Sequence, residues 1–383
     1  MKKIVSIVST NRADFGLLKP LIIKLNDHPK FDLRLSISGS HLSDEFGKTV
    51  NEINALGLII DKEIPIFDSF EETLFVSKAM SKAIEGFSEY FSKLKPDLVI
   101  LLGDRYETLS VAISAMTLNI LIAHIHGGEI TEGAMDDAIR HAITKLSHLH
   151  FTSTEVYRNR VIQMGESPDS VFNVGALAID NIIHENFYSK QEVYDLLGLK
   201  LEEDFALVTY HPVTLENESI TEIKKLLEIC SELNEYKFIF TKSNPDYLGF
   251  QMNQEINKYA EENENIKLFD SLGSKLFLSA MKYSKAILGN SSSGIIEAPY
   301  LGTKTINVGT RQKGRIQFSS IINVDAMMND LKSVIQEVFL EDNKDFIKPD
   351  IYGLGDTAEK IINVLIFSII DKKTSLKKVF YDL

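Results

Sequence analysis

Short apolar runs alternate with amphipathic stretches along almost the whole chain. IVSIVST (4–10), DLRLSIS (32–38), KPDLVILLGD (95–104), NILIAHIHGGE (119–129), HLHFTST (148–154) and VFNVGA (171–176) each predict a strand. Helical spacing fills intervening segments such as 14–26 and DDAIRHAITKLSH (136–148). A more polar stretch covers 183–204, and the alternation then restarts. FALVTYHP (205–212), YKFIFTKSNP (236–245), NIKLFDSLG (265–273), KAILGNSSSG (285–294) and TKTINVGT (303–310) predict the second series. Near-continuous apolar strands separated by helices imply parallel sheets covered on both faces. The expected class is α/β, with two doubly wound domains over 1–180 and 181–363. A C-terminal helix (356–370) runs into a tail, and 364–383 is free to pack back, the N-terminal domain being one choice. At 383 residues the chain exceeds one ordinary core, which fits this division.

The unusual polar residues fall at the C-terminal ends of the predicted strands. They are Asn11-Arg12, Gly103-Asp104-Arg105, His126-Gly127-Gly128-Glu129, His211-Pro212, Asn244-Pro245, Ser291–Gly294 and Arg311. Parallel sheets place ligands at that edge. Two domains facing each other there would bring these loops to one central cleft.

Composition narrows the partner. The formal charge of -13 disfavours nucleic acid and anionic membrane, so any phosphate site must be local. The single cysteine, Cys230, excludes an internal disulfide and reads as a buried core thiol. The apolar stretch at the N-terminus is too short for a signal peptide, and 361–370 is too short to span a bilayer. A cytoplasmic protein is expected.

Neither GxGxxG nor GxxxxGK[ST] is present. GNSSSGIIE instead puts three hydroxyls and several backbone N–H groups at a helix start, a seat for an anion. One serine cap would suffice for an ordinary turn. Glu297, read as lying on the first turn of that helix, would oppose a phosphate but suits two vicinal ribose hydroxyls. Diphosphate at Ser291, Ser292 and Gly294 with ribose at Glu297 describes a nucleotide. Arg12 and Arg311 supply candidate positive charge. Arg105 and Arg140 are weaker candidates, and Arg140 has Asp136 and Asp137 one turn earlier as partners.

Among carboxylates, Asp104 and Glu129 close successive strands and are candidates for acid–base work. Asp136 opens a helix, where an N-cap role competes. His126, His124, His141, His148 and His150 tempt a metal reading, but no HExxH spacing occurs. His124, His148 and His150 read as satisfied strand histidines. His211, ending a strand in TYHP, is a candidate proton donor or phosphate partner.

NRAD, LGDRYE, HIHGGE…DDAIRHAITKLSH, HPVT, GNSSSGIIE and GTRQKGR, in this order, resemble the hydrolysing UDP-N-acetylglucosamine 2-epimerases of the sialic-acid pathway. The resemblance runs from about residue 3 to about residue 320. It implies two Rossmann-like domains of the GT-B kind, with UDP held mainly by the second. By motif, Arg12, Asn244, Ser291, Ser292, Glu297 and Arg311 would contact the nucleotide. Asp104, Asp136 and His211 would lie at the sugar and the departing diphosphate. The implied reaction is anti elimination of UDP to 2-acetamidoglucal, followed by hydration to N-acetylmannosamine. No metal or nicotinamide is implied, and a homo-oligomer, dimer or tetramer, is. The chain departs from several relatives at His126, where they carry a glutamate. His126 or Glu129 would then take over that glutamate's work, and the sugar itself is open to change. UDP-N,N'-diacetylbacillosamine, of the legionaminic-acid pathway, is the alternative substrate. A GT-B glycosyltransferase would need an acceptor to release UDP, a non-hydrolysing epimerase would retain UDP in its product, and a sensor would bind without turnover.

Overall fold

The computed structural model describes residues 2–44, 48–67, 74–213, 219–243, 247–325, 330–341, 349–371 and 373–383. Its described residues divide into two compact units, each built on one parallel sheet.

The first unit contains β1 (Lys3–Ser9), α1 (Arg12–Asn26), β2 (Phe31–Ser38), α2 (Val50–Ala55), β3 (Ile60–Ile64), α3 (Phe75–Leu94), β4 (Leu98–Leu102), α4 (Tyr106–Thr117), β5 (Leu121–Ile125), most of α5 (Met135–Leu146), β6 (Leu149–Thr152), α6 (Glu155–Gln163), β7 (Val171–Asn173) and α7 (Leu177–His184). Its strand order is β3-β2-β1-β4-β5-β6-β7. Because β1 pairs with both β2 and β4, the loops after β1 and β4 leave a topological switch point. β4 reads LVILL and is buried throughout, as a strand covered on both faces must be. The buried residues of α3 are Phe75, Ala79, Ala83, Phe87 and Phe91, a stripe at every fourth position. That helix stops at Lys95 in the left-handed region (φ 51), immediately before Pro96.

The second unit contains α8 (Lys190–Leu197), β8 (Phe205–Thr209), α9 (Ser219–Glu232), β9 (Lys237–Thr241), α10 (Tyr247–Glu262), β10 (Ile266–Phe269), α11 (Gly273–Tyr283), β11 (Ala286–Gly289), α12 (Ser293–Leu301), β12 (Lys304–Val308), β13 (Ile321–Val324) and α13 (Leu331–Leu340). The order β10-β9-β8-β11-β12-β13 repeats the doubly wound pattern, with its switch between β8 and β11. A capping box of Ser189 and Glu192 starts α8, and Gly198 (φ 63) ends it. Cys230 lies wholly buried in this core, and desolvation pushes its thiol well above the ordinary range. A thiol reagent should therefore leave native protein unlabelled and react only after denaturation.

The first unit takes the chain up to Glu129, then Asp136–His184, and again from Asp350, while Ile130–Met135 belong to the second. α14 (Thr357–Leu365), continued by a π-helical turn over 366–370, buries Ala358, Ile361, Ile362 and Leu365 against α1 and α7. Its first turn is capped at long range. The Asp180 carboxylate accepts from the amides of Thr357 (3.0 Å) and Ala358 (2.8 Å), satisfying groups that a helix start leaves without intrahelical partners.

The tail is fastened by one buried carboxylate. Glu166, 2% exposed, receives Lys145 (2.5 Å), His150 Nε2 (3.0 Å) and Lys378 (2.8 Å). Burial alone would raise its pKa, but these three partners outweigh it and hold the carboxyl at about 2. A carboxylate held below its ordinary value stabilises the fold above that value and loses the contribution as pH falls through the folded one. Stability should thus decline as pH falls from about 4.5 towards about 2. Lys378→Ala should shift that decline to higher pH in thermal unfolding measured across the acid range.

Candidate functional site

In the first unit three successive strand ends carry the predicted residues. After β1, the Asn11 side chain accepts from the Asp14 amide at 3.0 Å and caps α1, which makes Arg12 the first helical residue. Burial lowers the Arg12 pKa, while Glu52 opposes the shift. Thr10 Oγ1 donates to Asp14 at 2.6 Å; burial, offset by Thr10, still raises that carboxyl to about 6.

After β4, Gly103 turns the chain with φ 83, and Asp104 takes an ion pair with Arg140 of α5. Arg140 is 3% exposed, so this pair is a partly buried fixture rather than a surface bridge. The expected local partners are secondary. Asp137 lies 4.0 Å from Arg140, and no ion pair to Asp136 is observed among the described residues. Asp136 sits in the first turn of α5, one residue inside the helix rather than at its cap. Arg105 pairs with the buried Glu107 at 3.4 Å.

After β5, His126 holds a left-handed backbone (φ 66) and its amide donates to the Phe151 carbonyl at 2.9 Å. A non-glycine residue at such a φ is costly and is typical of functional turns. Gly128 follows because a Cβ there would lie 2.4 Å from the Tyr157 carbonyl oxygen. Glu129, 3% exposed, lies 3.9 Å from His126 Nδ1 and accepts from Ser153 Oγ at 3.0 Å. Ser153 escaped the sequence reading, although it too follows a strand in HLHFTST. Leu102 pairs with Ile125, so the β4 and β5 loops leave the sheet side by side. The other histidines of that group have separate partners: Gly103 and Thr144 for His124, Asp137 for His141, the Ile122 amide for His148 and Glu166 for His150. Among the described residues no cluster of three or more His, Cys, Asp or Glu side chains is placed to hold a metal ion.

In the second unit the switch point joins His211, the serine turn and Arg311 through a residue the sequence reading passed over. Asn290, 1% exposed, accepts from the His211 amide and donates to the His211 carbonyl, both at 2.7 Å. Its own carbonyl accepts from Arg311 (3.0 Å) and Gln312 (2.8 Å). His211 Nδ1 lies 3.2 Å from Ser243 Oγ. Gly289, at φ 127, is required because a Cβ would come within 2.2 Å of the Thr209 oxygen. The serine turn differs from expectation in two ways. The amides of Ser293, Gly294 and Ile295 bond within the turn, to Ser291 Oγ, the Ser291 carbonyl and the Ser292 carbonyl, rather than standing open. α12 begins at Ser293, so Glu297 opens its second turn instead of lying on the first. Asn244 lies outside the described residues.

Two doubly wound parallel units, with polar and titratable residues at each switch point, define a two-unit α/β protein of the GT-B-like kind. Residues 23–366 match the UDP-N-acetylglucosamine 2-epimerase family, and the chain belongs to it as an enzyme of the UDP-sugar 2-epimerase type. It is 43% identical over 339 residues to the GDP/UDP-N,N'-diacetylbacillosamine 2-epimerase (hydrolyzing) of Campylobacter jejuni, covering 88% of each chain. Identity to the polysialic acid biosynthesis protein P7 of Escherichia coli is 39% over 349 residues, 91% of this chain and 88% of that one. The fold matches the Methanocaldococcus jannaschii UDP-GlcNAc 2-epimerase crystallised with UDP-GlcNAc and UDP, at TM-score 0.79 and 19% identity over 95% of this chain and 99% of that one. Among the described residues no helix is long and apolar enough to cross a membrane.

Proposed function

We propose that the protein is a hydrolysing 2-epimerase of a UDP-linked 2-acetamido sugar, with UDP-N,N'-diacetylbacillosamine preferred over UDP-N-acetylglucosamine. A base removes the C2 proton while the C1–O bond to UDP breaks, giving UDP and a glycal with a C1=C2 double bond. Water then adds its hydroxyl to C1, and a proton returns to C2 on the other face, releasing the epimer as a free sugar.

The observation that carries this reading is the pairing of strand ends β4 and β5. It sets Asp104, held by buried Arg140, beside the turn of His126 and Glu129. In this reading His126 takes the C2 proton with Glu129 behind it, and Asp104 and Asp136 direct the water. Arg311 and His211 of the second unit meet charge on the diphosphate, and Arg12 and Arg105 are the first unit's candidates for meeting phosphate charge. Ser291, Ser292, Gly294 and Asn244 seat the nucleotide, and Glu297 takes the ribose hydroxyls. The preference for the 4-acetamido-6-deoxy sugar is supported by the name of the Campylobacter relative and by His126, where relatives in the resemblance carry glutamate.

Initial rates of UDP release from the two sugar nucleotides test the choice. We expect kcat/KM to favour UDP-N,N'-diacetylbacillosamine by about tenfold or more, the scale of discrimination available to a few added substrate contacts. The reverse ratio would assign the protein to UDP-N-acetylglucosamine and sialic-acid synthesis. The same reading carries a cytoplasmic homo-oligomer, dimer or tetramer, which light scattering in solution checks.

A further inference from the structure

His124 is wholly buried in the middle of the first sheet, yet both its ring nitrogens are committed to residues next to the candidate acid–base groups. Nε2 lies 2.7 Å from the Gly103 carbonyl, the group immediately before Asp104. Nδ1 lies 3.1 Å from Thr144 Oγ1 on α5, one turn after Arg140. The same hydroxyl oxygen is 3.0 Å from the Arg140 carbonyl. One imidazole therefore spans the two backbones whose side chains, Asp104 and Arg140, form the ion pair.

The chemistry of the partners determines the tautomer. A carbonyl only accepts, so Nε2 carries the hydrogen. Burial, with smaller contributions from His150, His126 and His141, outweighs the Gly103 bond and lowers the ring to about pH 3, so it is neutral. Nδ1 is then an acceptor that shares the single hydrogen of the Thr144 hydroxyl with the Arg140 carbonyl, so the contact holds α5 at Thr144, one turn after Arg140. The amide of Gly103 donates to the Ile125 carbonyl at 3.1 Å, so β5 holds Gly103 by both its N–H and its C=O. Since a trans peptide is planar, fixing the Gly103 carbonyl on His124 turns the Asp104 N–H the opposite way. Gly127 supplies a further sign that this junction is built. A Cβ there would lie 3.0 Å from Thr144 Oγ1 and 3.2 Å from His124 Nδ1, crowding the bond between them.

We propose that His124 is a positioning residue for the reaction, setting Asp104 through Gly103 and holding, at Thr144, the helix that carries Arg140. This inference rests on the reading of Asp104 as a group that serves the chemistry. A plain core histidine would need partners for its nitrogens, but not partners on both arms of one ion pair.

The test compares wild type with His124→Ala, His124→Gln and Thr144→Val in the full-length enzyme. A glutamine amide reaches the Nε2 position and keeps a donor for Gly103; alanine keeps neither bond. His124→Ala is expected to lower kcat for UDP release about a hundredfold, the scale of a misplacement near 1 Å, with UDP affinity by calorimetry unchanged. His124→Gln should recover most of that loss, and Thr144→Val should fall between. His124→Ala turning over near the wild-type rate, or His124→Gln as poor as His124→Ala, would overturn the proposal. Amide hydrogen exchange over 98–106 reads the positioning without turnover: His124→Ala should speed exchange at Gly103 and Asp104, and His124→Gln should not. Unchanged exchange in His124→Ala would also overturn it. Should wild type release no UDP from any substrate offered, the functional reading fails by itself, and the exchange data still decide the role of His124.

Discussion

Asp104→Asn is expected to lower UDP release by about a thousandfold, within the range of a lost general acid–base group, while the variant folds and binds UDP as wild type does. The amide keeps an oxygen for Arg140, so the ion pair becomes a hydrogen bond rather than leaving a buried guanidinium without its carboxylate. It cannot exchange a proton with substrate or water near neutral pH. The UDP-binding candidates of the second unit are joined to one another through Asn290. Steady-state rates and calorimetry with UDP separate the two effects. A variant with kcat near wild type would remove Asp104 from the chemistry, leaving His126, Glu129 and Asp136 to carry it.

Asn290→Ala should cost about 1–3 kcal/mol of stability and weaken UDP binding about tenfold or more, since two part-buried backbone groups of His211 lose their partner. The side chain closes on both the amide and the carbonyl of His211, at 2.7 Å each. Alanine preserves the Asn290 main-chain carbonyl and therefore the bonds from Arg311 and Gln312. What is lost is the link between the β8 loop and the serine turn. Thermal denaturation and UDP titration measure the two consequences. Loss of stability with unaltered UDP affinity would separate Asn290 from the nucleotide seat.

The interior strands were legible because a parallel sheet covered on both faces demands apolar residues at every position. β4 and β8 are buried throughout and read as such. The strands that escaped notice are edges. β3 exposes Asp61, Lys62 and Glu63, and of its five residues only Ile64 is buried; β13 ends the second sheet with one buried residue, Ile321. Edge strands follow no continuous apolar pattern, so their pairing is visible only in three dimensions. The same limit applies to partners. Helical spacing favoured Asp136 or Asp137 for Arg140, whereas a carboxylate 36 residues away in sequence, at the end of β4, takes it. The placement of α14 depends on Asp180, 177 residues before Thr357, a cap that no local pattern encodes. Strand-end position singled out His126, Glu129 and His211 as candidates, while Ser153 and Asn290 became visible only as partners of Glu129 and of His211.

The most direct measurement is NMR of the enzyme with UDP-N,N'-diacetylbacillosamine and, separately, UDP-N-acetylglucosamine in deuterated water. Elimination of UDP followed by hydration gives free UDP, together with a free 2-epimeric sugar carrying deuterium at C2, from at least one of them. A C2-epimer still joined to UDP, or intact substrate in both samples of folded protein that binds UDP, would contradict it.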